Sequence, residues 1–505
     1  MKVAFPRTPG ALGGLLALTA ILGLLARPAV AAPGPTPPLS HEGRWITDAE
    51  GRVVILHGVN EVYKVGSYAP SDVGFGADDA EFLRRNGFNS VRLGVIYKGV
   101  ERNPPSGGLP SYDDDYLTKI ADTQRTLARR GIFSLLDFHQ DLFNEKFQGE
   151  GWPDWQVEDD GLANPQNGFP ANYPTNPALN RALDHFWAND QVSGVDLQDE
   201  YAAAWRHVAA RFAGTRYVLG YEILNEPWPG SIWPTCFSSG GCPAFEQNQL
   251  IDFTKRVFAA IRQVDPSTLV FYEPLVTFNT GIATNMGSVD DPKAGFSFHD
   301  YCGTTGPGCE PGESQVFQNA DARAAQTGDA TLNTEFGASN DFADLGRIVT
   351  LADQHMTGWV YWEYSGAGDV TTSGTPNTEA IVLDPSKPPV GDNVDFAKLK
   401  VLERPYPQAV AGTPEQYGFD SATGAFLFSY STERADGSGA FAGNSESDVF
   451  LPAIQYPHGY AVTVSGARVI SSPRSRVLRL LSCPGAASVE VHVTPGRLNP
   501  ASRNC

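Results

Sequence analysis

Eight short apolar runs, each closed by polar residues and most followed by an amphipathic stretch, fill the chain between residues 44 and 402. They read VVILHGVNE (53–61), SVRLGVI (90–96), FSLLDFHQD (133–141), VLGYEILNEP (218–227), TLVFYEP (268–274), GFSFHDYC (295–302), ATLNTEFGAS (330–339) and TGWVYWEYSG (357–366). Near-continuous apolar runs indicate strands buried on both faces, as in a parallel sheet covered by helices. Stretches such as YLTKIADTQRTLARRG and LQDEYAAAWRHVAARF supply the helical period between them. Eight such units predict an α/β fold, a (β/α)8 TIM barrel with inserted loops. A doubly wound open sheet is the competing architecture, but no glycine-rich phosphate fingerprint follows the first run.

The texture changes near residue 403. AFLFSY (425–430), DVFLPA (448–453), YAVTVSG (460–466), RVLRLL (476–481) and SVEVHV (488–493) recur between Gly, Ser and Pro with no helical period. Residues 403–505 are therefore expected to form a small antiparallel β-sandwich packed against the barrel. A separate sugar-binding role for it lacks a tryptophan platform, because the region holds no Trp. At the other end, Lys2 and Arg7 precede the apolar run Ala11–Ala26, and Ala29-Val30-Ala31 offers a small-x-small cleavage site. Residues 1–31 thus read as a secretory signal peptide and 32–43 as a Pro-rich linker. A membrane anchor is the alternative for the first segment, but the run is short and interrupted by Gly13, Gly14 and Gly23. The expectation is a secreted protein with no integral membrane segment in the mature chain.

Charge and cysteines agree with export. The formal charge of −20 moves to −23 once Lys2, Arg7 and Arg27 leave with that segment. So acidic a chain repels phosphates, and no basic cluster offsets this, so nucleic acid is excluded as a partner. The six cysteines fall as near neighbours: Cys236 with Cys242, Cys302 with Cys309, Cys483 with Cys505. Local disulfides are the simplest pairing among the fifteen that six cysteines allow. A zinc site is the alternative, though none of the pairs has C-x₂₋₄-C spacing.

In a parallel barrel all strand C-termini meet on one face, so the polar residues that close the runs converge on one pocket. Two of them, Glu226 and Glu335, end the fourth and seventh runs. Opposed carboxylates suit hydrolysis of a glycosidic bond: one protonates the leaving oxygen while the other attacks the anomeric carbon. Arg92 is placed to keep Glu335 ionised. Asn225 can bond a sugar 2-OH, His139, His299 and Tyr301 can orient carboxylates and hydroxyls, and Trp362 offers a flat face for a pyranose. An isolated strand-end glutamate would more simply pair with an arginine; six compatible neighbours favour catalysis. No metal and no organic cofactor is called for, because proton transfer and nucleophilic attack suffice.

Asn225-Glu226-Pro227, with Arg92, His139, His299-x-Tyr301, Glu335 and Trp362, resembles glycoside hydrolase family five, a retaining family of clan A. The resemblance covers about residues 44–400 and implies Glu226 as acid/base and Glu335 as nucleophile, with the carboxyls roughly 5–5.5 Å apart. GVNEVYK (58–64), LLDFHQDLF (135–143), HFWAND (185–190), GYEILNEPWPG (220–230) and FSFHDYC (296–302) are similar to the endoglycoceramidase branch. That branch implies a glycosphingolipid substrate, met at a membrane or micelle surface and cut between intact glycan and ceramide. By the same resemblance Lys64 and Asp137 match positions that hold the first sugar, and Trp187 a further sugar contact.

Aromatic loops give this partial physical support. The insert at 150–196 holds Trp152, Trp155 and Trp187, with Phe147, Phe169 and Phe186 nearby, and WPGSIWPTCF (228–237) directly follows Glu226. Such loops either line a slot for lipid chains or form local core under the barrel rim. Other readings stay open: an endogalactosylceramidase acting on galactose-linked ceramides, a soluble β-glucan endo-hydrolase, and a carbohydrate-binding protein without catalysis.

Overall fold

The computed structural model describes residues 1, 34–107, 109–301, 310–372, 375–496 and 504–505. The signal segment and the pair Cys302 and Cys309 lie outside the described residues. Eight strands, β1 (His57–Glu61), β2 (Ser90–Ile96), β3 (Phe133–His139), β4 (Val218–Glu222), β5 (Leu269–Tyr272), β6 (Ala294–Asp300), β7 (Ala330–Phe336) and β8 (Gly358–Tyr361), form a closed barrel. Each pairs in parallel with the next, and β8 pairs with β1, which removes the open-sheet alternative. All seven residues of β2, β3, β6 and β7 are buried, as the apolar runs require.

Helices cover the outside. Leu197–Phe212 buries Tyr201, Trp205, Val208 and Phe212, the spacing of one helical face. Asp113 caps the helix Asp114–Ala128 by accepting from the Tyr116 N–H, and Asp341 caps Phe342–His355 in the same way. Among the described residues no helix is long and apolar enough to cross a membrane.

The C-terminal region forms two antiparallel sheets. One contains Thr413–Asp420, Ala425–Ser431, Ser488–Pro495 and Tyr460–Ser465. The other contains Tyr406–Val410, Glu446–Phe450, Val477–Ser482 and Ala467–Val469, and it is completed from the N-terminal side. Here the segmentation differs from expectation. Ser40–Glu42, at the end of the segment read as linker, pairs with Trp45–Thr47, and Val53-Val54 pairs with Val410 and Ala409. Strands of two or three residues are too short to show a period-2 pattern, so they were not legible as strands. The barrel therefore begins at His57, and the first apolar run is divided among three hydrophobic clusters, Val53 and Ile55 in one, Val54 and Leu56 in a second and Val59 in the third.

The two parts share a tight boundary. The Tyr406 ring stacks on His57, which stacks on Trp359 of β8, and Tyr406 Oη donates to the Gly87 carbonyl at 2.6 Å. Gly87 has φ +82°, and a Cβ there would meet Phe450 Cε1 at 2.2 Å, so only glycine fits this approach. Cys236–Cys242 and Cys483–Cys505 are joined as disulfides, following the local pairing.

Candidate active site

Arg92 stands at the centre of the barrel mouth, with no exposed side-chain surface. Register places it opposite Asn60 of β1, and its Nη1 donates to Asn60 Oδ1 (3.1 Å) and Glu335 Oε1 (2.7 Å). Nη2 reaches Asn225 Oδ1 (2.8 Å), Asp137 Oδ2 (3.1 Å) and Glu273 Oε1 (3.2 Å), and Nε donates to Glu222. Four buried carboxylates thus converge on one guanidinium, whose planar fork suits several acceptors at once. A buried charge group of this kind holds only while each member keeps its partner.

Glu226 follows β4 on a clamped turn. Tyr201 Oη and Trp205 Nε1 both donate to the Ile223 carbonyl, at 2.8 and 2.9 Å, fixing the end of the strand. Gln140 Nε2 donates to the Asn225 and Glu226 carbonyls (2.9 and 3.3 Å), and Asn225 Nδ2 donates back to the Gln140 carbonyl (2.9 Å). Glu226 has φ +43°, a left-handed conformation uncommon for a residue with a Cβ, and this clamp holds it there. Its Oε1 accepts from Asn279 Nδ2 (2.6 Å) and His299 Nδ1 (2.8 Å), leaving Oε2 for the pocket. Its N–H donates to Glu273 Oε2 at 3.1 Å.

Glu335, in β7, is held by both oxygens: Oε1 by Arg92 and Oε2 by Tyr301 Oη at 3.0 Å. Burial raises its carboxyl above the ordinary range, while the His299 and Arg92 cations oppose the rise. His299 lies between the two glutamates, 2.8 Å from Glu226 Oε1 and 3.4 Å from Glu335 Oε2. Burial alone would lower the His299 pKa, but Glu273, Glu335 and Glu226 outweigh it and hold the ring protonated well above the usual range. Glu273, on the other side of the ring at 3.3 Å, is pushed up to about 7 by burial against the pull of that cation. One oxygen each of Glu226 and Glu335 and a nitrogen of His299 lie within 4.8 Å of one another. An inverting pair needs roughly 6.5–9.5 Å between its carboxyls to admit a water, so this proximity suits a retaining pair.

The other expected residues divide. His139 Nδ1 donates to Asp137 Oδ2 (2.8 Å), and the His139 ring stacks on Trp362 with centroids 5.1 Å apart. Burial disfavours its charge, but Asp137 wins and pushes His139 up to about 9. Lys64 Nζ sits 4.4 Å from the centre of the Trp362 ring, held by Asp141 (2.9 Å), Thr371 (2.7 Å) and Asp369 (3.0 Å). Asn225 keeps one amide hydrogen for a ligand, since Arg92 takes its oxygen and the Gln140 carbonyl its other hydrogen.

Asp137 and Trp187 are both buried. Asp137 is fully buried, its Oδ2 shared by Arg92 and His139, while its Oδ1 has no hydrogen-bond partner among the described residues. Trp187 packs edge-on against Phe245 and Phe253 and donates to the Trp228 carbonyl at 2.7 Å, bracing the loop after Glu226. Trp152, Phe147 and Phe186 are likewise buried, so that insert is largely local core; Ile232 and Phe237 of the following loop are exposed. Asn279, Gln140 and Glu222 complete the site without having been singled out. Glu222 left a trace, a carboxylate inside an apolar run; Asn279 sits in a loop with no motif.

Residues 48–368 match the family described as Cellulase (glycosyl hydrolase family 5), and 404–494 match the Glycoside hydrolase family 5 C-terminal domain. Endoglycoceramidase I of Rhodococcus hoagii is 32% identical over 482 residues, covering 92% of this chain and 89% of that protein. The endoglycoceramidase of Hydra vulgaris is 28% identical over 461 residues, covering 84% of this chain and 82% of its own. Endo-glycoceramidase II from Rhodococcus sp., solved as a ganglioside GM3 complex, aligns with TM-score 0.71 at 26% identity over 90% of this chain and 99% of that one. With both of its parts matched and the carboxylate pair at the barrel mouth, the chain belongs to glycoside hydrolase family 5.

Proposed function

We propose that this chain is a retaining endo-β-glycosidase that hydrolyses the bond between oligosaccharide and ceramide in glycosphingolipids, releasing intact glycan and ceramide. The observation that carries the reading is the pair Glu226 and Glu335, bridged by His299, in a chain that aligns along most of its length with endoglycoceramidases. Glu335, oriented by Arg92 and Tyr301, attacks the anomeric carbon. Glu226 gives its proton to the ceramide oxygen, which leaves with the electron pair of the broken C–O bond. In the second half a water loses a proton to Glu226 and its oxygen displaces Glu335, restoring both carboxyls. Trp362, with the rings and cations behind it, supplies the floor for the sugar that is cut.

Two finer readings go with this one. The basic n-region, apolar run and Ala29-Val30-Ala31 site support export, with cleavage after residue 31. The exposed Ile232 and Phe237, in the disulfide-tied loop that follows Glu226, support contact of the barrel mouth with a micelle or membrane surface.

The deciding experiment is incubation with a ganglioside in detergent and mass spectrometry of the products. Intact oligosaccharide plus free ceramide is the expected result. If the ganglioside survives while a galactose-linked ceramide or a soluble β-glucan is cut, the substrate is the one that is cut and the ganglioside reading falls; if all three survive, the catalytic reading falls with it.

A further inference from the structure

A second group of carboxylates lies directly behind Trp362 and takes no part in the chemistry above. Glu363, Asp369 and Glu379 are all buried, and one oxygen of each lies within 4.8 Å of the others. Among the described residues neither oxygen of Glu363 has a hydrogen-bond partner, although the residue exposes no surface. The two oxygens of Glu379 also lack a bond of normal geometry among the described residues, with Thr372 and Trp362 the nearest donors and both favouring its charge. Two wholly buried carboxylates facing each other unsatisfied are costly unless something positive or a proton lies between them.

The cations that reach the group are already engaged. Lys64 is shared by Asp141, Asp369 and Thr371, and Lys398 donates to the Thr378 and Ala380 carbonyls at 2.7 and 3.1 Å. We propose that Glu363, Asp369 and Glu379 bind one divalent cation of the calcium type. The donor set is oxygen only, which selects a hard ion over zinc, and two of the three carboxylates are free to bind through both oxygens. Calcium accepts an irregular set of carboxylate oxygens, whereas magnesium at about 2.0–2.1 Å demands near-ideal octahedral geometry and keeps several of its waters.

The ion would tie the segment after β8 to the sugar floor. Asp369 Oδ2 accepts from Trp362 Nε1 at 3.2 Å, and Asp369 Oδ1 meets Lys64 Nζ at 3.0 Å. A cation held by Asp369 is therefore one bond from the Trp362 indole. Without it, burial pushes Glu379 up to about 8 and Glu363 well above its usual range, so protons are the rival occupant.

The full chain, stripped with a chelator, is examined by calorimetry with and without calcium, with magnesium in parallel, and its bound metal is counted by mass spectrometry after gel filtration. The site predicts about one calcium per chain and, at a hundredfold excess over Kd, a Tm rise of about 3 °C that magnesium does not match. Glu363→Gln and Glu379→Gln abolish both readings, while Glu150→Gln, in the neighbouring acidic group beyond Lys64, keeps them. Wild-type protein with no bound calcium and an unchanged Tm overturns the site, as does calcium retained by the Glu363→Gln, Glu379→Gln double variant. If those variants fail to fold, terbium replaces calcium. Emission sensitised by the adjacent indole and lost in Trp362→Phe at unchanged metal content supports the site; emission kept in that variant overturns it.

Discussion

Two groups of buried acids share the barrel mouth, one on each side of Trp362, and they are balanced in opposite ways. Around Arg92, Asp137, Glu222, Glu273 and Glu335 each reach the guanidinium, and His299 adds a second positive charge. Behind Trp362, Glu363 and Glu379 feel Lys64 only at a distance and accept no hydrogen bond of normal geometry among the described residues. The charge of the first group is balanced by this chain's own side chains, so the carboxylates are held in place before any substrate arrives, as electrostatic catalysis requires, although Asp137 Oδ1 and Glu222 Oε1 accept no hydrogen bond among the described residues. The second is completed only by something the chain binds. Acids gathered at one barrel mouth therefore do different work according to what faces them.

The largest effect should come from breaking the satisfied side at its reacting member. Glu335→Gln removes the nucleophile and is expected to lower kcat by about 10⁴-fold, with near-native circular dichroism. Retention of more than a tenth of the turnover would displace Glu335 from its role. Next, Arg92→Met leaves four carboxylates without their shared cation. Loss of one partner of a buried ion group costs about 3–5 kcal/mol, read as a lower urea midpoint. An unchanged midpoint would mean that protons already balance the group.

The unsatisfied side should respond with the opposite sign. In calcium-free protein Glu379→Gln removes a buried carboxyl whose folded pKa, about 8, lies above its unfolded value. Such a group is least costly below its unfolded pKa, and the protein loses stability as pH rises toward 8. The variant should match wild type at pH 4.5 and exceed it by about 1–2 kcal/mol at pH 8. With calcium present the order reverses. A variant less stable than calcium-free wild type at pH 8 would erase the contrast between the two groups.

The satisfied group was largely legible in the sequence, because barrel topology gathers every strand end on one face. Arg92, Glu226, His299 and Glu335 needed only that rule and the chemistry of their side chains. Trp187 shows where it stops: its ring packs against Phe245 and Phe253, and sequence position alone does not reveal whether a side chain enters the pocket or local packing. The two- and three-residue strands at 40–54 were hidden for another reason: none is long enough for a local period to mark it, and Val53-Val54 also pairs with Ala409 and Val410, about 350 residues away. Glu363 and Glu379 were invisible as a pair because a loop brings them together.

His299 offers the finest test of the satisfied side, because it acts on Glu335 without touching the anomeric carbon. Its ring is a buried cation 3.4 Å from Glu335 Oε2, and burial already holds that carboxyl above its ordinary range. Attack requires Glu335 ionised, so kcat/KM falls as pH drops through this raised pKa. Replacing His299 by Asn keeps a donor near Glu226 but removes the positive charge, which lifts the Glu335 pKa further. The acid limb of kcat/KM should move up by about one pH unit, making the variant about tenfold slower below the limb and much closer to wild type on the plateau. A ring that served only to pack the site would lower the whole profile and leave the limb where it was. The limb position therefore separates an electrostatic role for His299 from a merely structural one.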